Sequence, residues 1–420
     1  MSKNARDKRP YIKPVTRIEL SEENIKARFI LLIVLVVIAA VAIFIGLRAA
    51  LNVEAGWQKV EASSGKVNCS TEFTLMYDFS DYSGKNASTA LKKFNALYST
   101  MTEDAYAIFT AAEYETEFAN VRYMNDHINE KIVVDPALYQ ALELVVQYDS
   151  RYPFLAPVYA EYDRIFVETN EQDAALVDPM KSHELMDYIR EAAAYAGASD
   201  MIWLELYGDN LVCLHVAEEY LVFAEEYGLD TFFDFHWMTN AFIIDYMANI
   251  LEEYGLTNGY LASYDGFTRN LDTRGNSYSH NMYDRMGNDI YLPAVFNYQE
   301  PIAIAVLKNY PISDAERWHY YVYSDGCVTS TYVDPADGVS KSATDNLFVY
   351  SNEMSCAEIL LQAAPVFIAD ELNENALEAL TQIGTYSIWV EDDRLYCNDS
   401  DANLTQVREN GGEQYTIVKK

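Results

Sequence analysis

The sequence predicts an α+β body held outside one N-terminal membrane-spanning helix. Three observations carry that expectation: a charge-free apolar run near the N-terminus, a mixture of strand-period and helix-period segments after it, and enough apolar residues to bury a core. The 420 residues are 50% hydrophobic with 34 Tyr, and 30 Lys and Arg face 64 Asp and Glu, a formal charge of −34. So many rings and aliphatic side chains exclude a disordered acidic tail. The acidity excludes nucleic acid as a partner, because polyanions are met with excess Lys and Arg.

Residues 29–47 run FILLIVLVVIAAVAIFIGL without a charge. As a helix they reach roughly 28 Å, close to a hydrocarbon thickness of about 30 Å. No A-x-A cleavage site follows, so an anchor in the lipid bilayer is expected in place of a cleaved signal peptide. Residues 1–28 hold eight basic and four acidic side chains, which keeps this tail cytoplasmic by the positive-inside rule. A stalk at 48–66 and an extracytoplasmic body at 67–420 follow, which places the chain in a cell membrane as a single-pass protein. Past Leu47, 22 basic residues face 60 acidic ones, read as a solvated surface.

Within the body, alternation predicts a strand over 71–79 and apolar spacing a helix over 87–112. A helix over 135–148 starts on Asp135 with Pro136 in its first turn. Another is expected at 179–196, then a hairpin of strands 202–207 and 210–216 about Gly208-Asp209. A helix over 238–254 stops at Gly255. Strands are expected near 259–263, 319–323, 328–332 and 347–350, helices over 355–368 and 374–382, and a hairpin over 385–396. No repeat or Pro/Gly/Ser linker divides the body. Cys69, Cys213, Cys327, Cys356 and Cys397 show no metal-binding spacing, though one or two disulfides fit an extracytoplasmic body. The six His form no close pair. Tyr-rich stretches such as Tyr320-Tyr321-Tyr323 suit a sugar-binding surface and, more often, half-buried strands.

Several segments share an order with known motifs. DFHWMTNAFIID, starting at Asp234 and ending at Asp245, is similar to D-x-G-x-x-x-K-G-x-x-x-D, with His236, Asn240 and Ala241 replacing Gly, Lys and Gly. GYLASYDG resembles a strand ending in Gly-Gly, with Asp265 for the first Gly and Gly266 kept. YSDGCVTSTYVDPADG resembles D-G-x-x-x-S-H-I-I-D-P-x-T-G: Asp325, Gly326, Ser330, Asp334, Pro335 and Gly338 match, and Thr331 replaces His. SCAEILLQAA is similar to A-D-A-x-x-T-A, with Glu358 for Asp and Gln362 for Thr. Asn125 matches the Asn of a further stretch, and SRYPFLAPVYAEY keeps Phe154 of G-A-F-D-P-T but has Leu155 for its Asp. In this order the motifs resemble those of the FAD:protein FMN transferases, the ApbE proteins, across most of the body.

That resemblance implies an ApbE-like fold, FAD and magnesium as cofactors, and an exported flavoprotein as acceptor of FMN on a Thr or Ser. It implies Asp234, Asp245, Asp265, Gly266 and Asp334 beside the flavin nucleotide and Glu358 and Gln362 at the metal. The reaction needs a divalent cation, a base for the acceptor hydroxyl and donors for the phosphates. Asn240 lacks the charge of a Lys, and Thr331 is no base near neutral pH. Asp265 adds a negative charge where the motif admits the nucleotide to the backbone. Apart from the resemblance, Asp234 reads equally well as a helix cap and Asp334-Pro335 as a turn.

Three readings follow. The first is an anchored ApbE-like domain that binds a flavin nucleotide or serves as a scaffold, with FMN transfer impaired by the replacements at Asn240, Thr331, Gln362 and Leu155. The second is an active magnesium-dependent transferase with His236 or His319 as base and Glu358 on the metal. The third is a cell-envelope adhesin or glycan-binding module using its Tyr residues.

Overall fold

A computed structural model describes residues 34–36, 38–39, 41–42, 56–62, 67–82, 85–287, 289–408 and 415–420. Most of the expected membrane helix at 29–47 lies outside these residues; 34–36, 38–39 and 41–42 are helical and exposed. Among the described residues no helix is long and apolar enough to cross a membrane. The remainder is one compact unit, Ala55–Lys420.

This unit begins at β1 (Trp57–Val60), inside the segment expected to be a stalk. β1 pairs antiparallel with β2 (Phe73–Asp78), so the body starts ahead of residue 67. The segment WQKV reads as polar because it is an edge strand that fully buries only Val60. Next come α1 (Lys85–Phe109), α2 (Val121–Asp126), β3 (Ile132–Val133), α3 (Pro136–Gln147), α4 (Ala156–Phe166), α5 (Glu171–Val177) and α6 (His183–Gly197). Asp135 caps α3 as expected, accepting from Ala137 N at 2.8 Å. The single helix expected at 179–196 is two pieces. Asp178 caps a 3-10 turn at Pro179–Lys181, and Ser182 restarts the chain as the N-cap of α6.

The hairpin of β4 (Ile202–Gly208) and β5 (Leu211–Val216) turns on Asp209 and Asn210, one residue beyond the expected Gly208-Asp209, and their φ of 51° and 61° match the twist of the strands. After α7 (Glu218–Tyr227) and α8 (Thr239–Glu253) the chain enters β6 (Gly259–Ser263), β7 (Phe267–Asn270), β8 (Tyr278–Met286), β9 (Asp289–Tyr298) and β10 (Ile302–Lys308). It continues through β11 (Tyr320–Val322), β12 (Val328–Ser330), β13 (Asn346–Ser351), α9 (Cys356–Phe367) and α10 (Glu374–Thr381). β14 (Thr385–Glu391), β15 (Arg394–Cys397), β16 (Asn403–Gln406) and β17 (Thr416–Lys419) complete it.

Nine strands form the main sheet in the order β1-β2-β6-β7-β10-β13-β14-β15-β17, antiparallel except for β15 and β17. Both faces are covered. Ala303, Ala305 and Leu307 of β10, with Leu347 and Val349 of β13, join a core shared with the helices. Ile302, Ile304, Val306, Phe348 and Tyr350 point the other way, into a smaller core closed by Met282, Ala294 and Phe296 of the β16-β9-β8 sheet. A strand buried on both faces has no polar side to alternate, so IAIAVLK carries no strand period. The cysteines form no bridge: Cys69, Cys213, Cys356 and Cys397 are separately buried free thiols, and Cys327 is free and exposed.

Asp245 on α8 joins three elements. Its Oδ1 accepts from Cys356 N (3.0 Å) and its Oδ2 from Ala357 N (2.7 Å), two otherwise unpaired donors in the first turn of α9. Arg269 of β7 stands 3.4 Å from the same carboxylate. Ser355 and Glu358 form a capping box on the remaining N-terminal donors. Asp245→Ala is expected to cost roughly 2–4 kcal/mol in urea denaturation, because it leaves buried donors and a cation unpaired. Ser355→Ala is expected to cost about 1 kcal/mol.

Candidate functional site

A cleft of about 520 Å³ opens where the C-terminal end of α1, the C-terminal end of α4, the turn leading into α8, the β6–β7 turn and the segment before β11 converge. Asn125 holds the chain that leads into it. Its amide oxygen accepts from Phe232 N and Phe233 N, and its Nδ2 donates to Phe233 O, which fixes the strand-like approach to Asp234. Asp234 Oδ1 then accepts from His236 N at 2.9 Å, turning the chain into the 3-10 turn His236–Met238 that precedes α8.

His236 has a φ of 48°, in the left-handed region. Its ring stacks on Tyr159 with centroids 4.3 Å apart. Nε2 lies 3.0 and 3.1 Å from the two oxygens of Asp163, and Nδ1 lies 3.1 Å from Thr331 Oγ1. Burial opposes protonation of this ring, but the charge and hydrogen bond of Asp163 and the charge of Asp234 outweigh it, so its pKa rises above the ordinary value. His319, also on the cleft wall, is driven the other way: burial, then the charges of His236 and Lys308, lower it to about 3.

Asp265 sits across the cleft. Its Oδ2 accepts from Asn240 Nδ2 at 2.9 Å, and its Oδ1 is sealed from solvent. Burial lifts its pKa to about 6, against the hydrogen bonds of Ser263 and Asn240 and the charge of Lys308, with Glu72 adding to the rise. Glu72 and Asp234 are also raised, chiefly by burial. Four carboxylates therefore line the cleft, those of Glu72, Asp163, Asp234 and Asp265, and among the described residues no Lys or Arg does. The nearby Lys308 lines a different cavity and is bonded to Glu316 at 2.7 Å.

The residues singled out in the sequence divide into two groups. Asp234, Asn240 and Asp265 line the cleft, and Thr331, fully buried, reaches it only through His236. Gly266 follows Asp265 with a φ of 113°, and a Cβ there would stand 2.8 Å from Val306 O, so the turn requires glycine. Asp245, Glu358, Gln362, Asp334 and Leu155 do not line the cleft. Asp334 makes a turn, accepting from Ala336 N at 2.9 Å and pairing with Lys341. Leu155 is fully buried in the apolar core. Gln362 Nε2 donates to Glu358 O and approaches Met354 Sδ.

Glu358 and Gln362 are tied into the start of α9: the Glu358 carboxylate accepts from Ser355 N at 2.8 Å, and Gln362 Nε2 donates to Glu358 O. Among the described residues, no three His, Cys, Asp or Glu side chains are grouped to hold a metal ion. Sequence reasoning missed Glu72 and Asp163. Asp163 is 73 residues from His236 and belongs to no motif, and the one available signal was a His at a motif glycine.

No family model matches the sequence, and no curated protein does. Solved structures match in fold. The ApbE protein of Thermotoga maritima aligns over 84% of this chain and 97% of its own at 13% identity, with a TM-score of 0.55. The flavin transferase ApbE of Vibrio cholerae aligns over 86% of this chain and 100% of its own at 12% identity, with a TM-score of 0.52. The body thus has an ApbE-like fold.

Asp265 binds its proton more tightly in the folded protein, near pH 6, than its usual value of 3.8. The stability linked to it is complete below about pH 4 and is lost as the pH rises through 6. Between pH 4 and 8, Asp265→Asn is expected to gain roughly 1–3 kcal/mol relative to the parent in urea titrations. A constant difference across that range would show that Asp265 titrates normally.

Proposed function

We propose that this chain is a membrane-anchored, extracytoplasmic binding domain on an ApbE-like fold, with FMN transfer impaired. The observation that carries the reading is the charge of the cleft: four carboxylates and, among the described residues, no lining Lys or Arg. FMN transfer as the motifs imply it brings a diphosphate to this place, and each charge pair at about 5 Å repels by about 3 kcal/mol at an effective dielectric of 20. Asn240, where the motif has Lys, has its amide nitrogen bonded to Asp265. Thr331, where the motif has His, is buried and bonded to His236. The aromatic walls suit a planar ring such as isoalloxazine, but the carboxylates do not suit its phosphates. The charge-free run 29–47 and the basic tail before it support the anchor and the outward orientation.

A second reading, an active transferase, is favoured by the Asp163–His236 pair, the arrangement of a general base with its orienting carboxylate. Against it, both ring nitrogens are engaged, and the raised pKa favours the protonated ring. The full-length chain incubated with FAD, magnesium and a Thr-bearing exported flavoprotein is expected to leave no covalent flavin fluorescence on the acceptor band. Turnover at an ordinary enzymatic rate, abolished by Asp163→Asn, would establish the second reading instead.

A further inference from the structure

We propose that the cleft binds a protonated amine with an apolar body, seated against Tyr264 and Trp318 with Asp265 as its counter-ion. This rests on reading the cleft as a binding site and names the class of its ligand.

Three independent features point to that chemistry. The first is the unbalanced charge. Asp163 is matched by the imidazole of His236, while Glu72, Asp234 and Asp265 face the cleft without a lining Lys or Arg. Buried carboxylates in that state are costly, and a cationic ligand supplies the missing partner. The second is the carboxylate of Asp265 on the cleft wall, whose Oδ2 is bonded to a neutral amide, Asn240 Nδ2, at 2.9 Å. An ammonium N–H is a charged donor to such a group, whereas a phosphate oxygen is another acceptor. The third is the aromatic wall. Trp318 is 47% exposed at the rim, Tyr264 stands beside Asp265, and Phe109, Phe166 and Trp237 line the interior. A cation over such rings gains from their quadrupoles, and the apolar body is buried among them.

A volume of about 520 Å³ fits a small-molecule ligand and not a folded partner. A purely inorganic cation does not account for the rings, and a neutral aromatic does not account for the acids. Because the amine charge is needed opposite Asp265, the site discriminates between an amine and its neutral isostere.

The test is titration of the full-length chain at pH 7.5, followed by tryptophan fluorescence and calorimetry. The probes are phenethylamine, tryptamine and benzyltrimethylammonium, with 2-phenylethanol as the neutral isostere and 3-phenylpropionate as the anion. Saturable binding of at least one of the two primary amines is expected, at least tenfold tighter than the alcohol, with the anion weakest. Benzyltrimethylammonium is expected to bind less tightly than the better primary amine, since it carries no N–H for Asp265. Asp265→Asn is expected to remove most of the preference for amine over alcohol. Trp318→Ala, at an exposed position that leaves the fold intact, is expected to weaken amine binding several-fold. Equal binding of amine and alcohol, tighter binding of the anion, or no binding of either primary amine would overturn the proposal. Failure of the amine arm with no FMN transfer leaves the binding-domain reading standing. FMN transfer by the same preparation removes that reading and this inference together.

Discussion

The Asp245 carboxylate is the joint on which the cleft is mounted. It takes the first two N–H groups of α9 and lies beside Arg269 of β7, so the helix that bears it is fixed to a second helix and to the main sheet. A helix N-terminus inside a protein must have its donors satisfied, and a carboxylate does this with charge as well as geometry. Asn240 lies five residues earlier on the same helix and bonds Asp265 across the cleft. The β6–β7 turn is thereby held against α8, and Gly266 lets that turn pass close to Val306. Shape at the cleft follows from these few contacts.

Charge is set separately from shape. Of the acids that resemble nucleotide and metal ligands, Asp245, Asp334 and Glu358 are bonded within the fold as helix-end acceptors or a turn. Asp234 and Asp265 line the cleft, and the other two lining acids, Glu72 and Asp163, come from segments outside the motifs. Asp163 engages the His236 imidazole over the Tyr159 ring and raises its pKa. On the proposed reading, a site arranged in this way favours cations and disfavours polyphosphates.

Much of the architecture was legible in the sequence where a local signal exists. The β4–β5 hairpin follows from its two-residue turn, α3 from Asp135-Pro136, and β6 from its alternation. β10 was not legible, because both its faces are buried and its pattern has no period. The Ser355-x-x-Glu358 spacing is a capping-box signature that competes directly with a metal-ligand reading of Glu358, and the fold resolves it as a cap. Asp234 and Asp265 were placed at the cleft by their motifs. Asp163 was not, because a contact between residues 73 positions apart leaves no trace in local pattern.

The most direct measurement is calorimetric titration of FAD into the parent chain and into the double variant Asn240→Lys with Asp265→Gly, with magnesium present. If the charge of the cleft keeps the diphosphate out, the variant binds FAD at least tenfold more tightly than the parent. Equal affinities, or tight FAD binding by the parent alone, would contradict that claim.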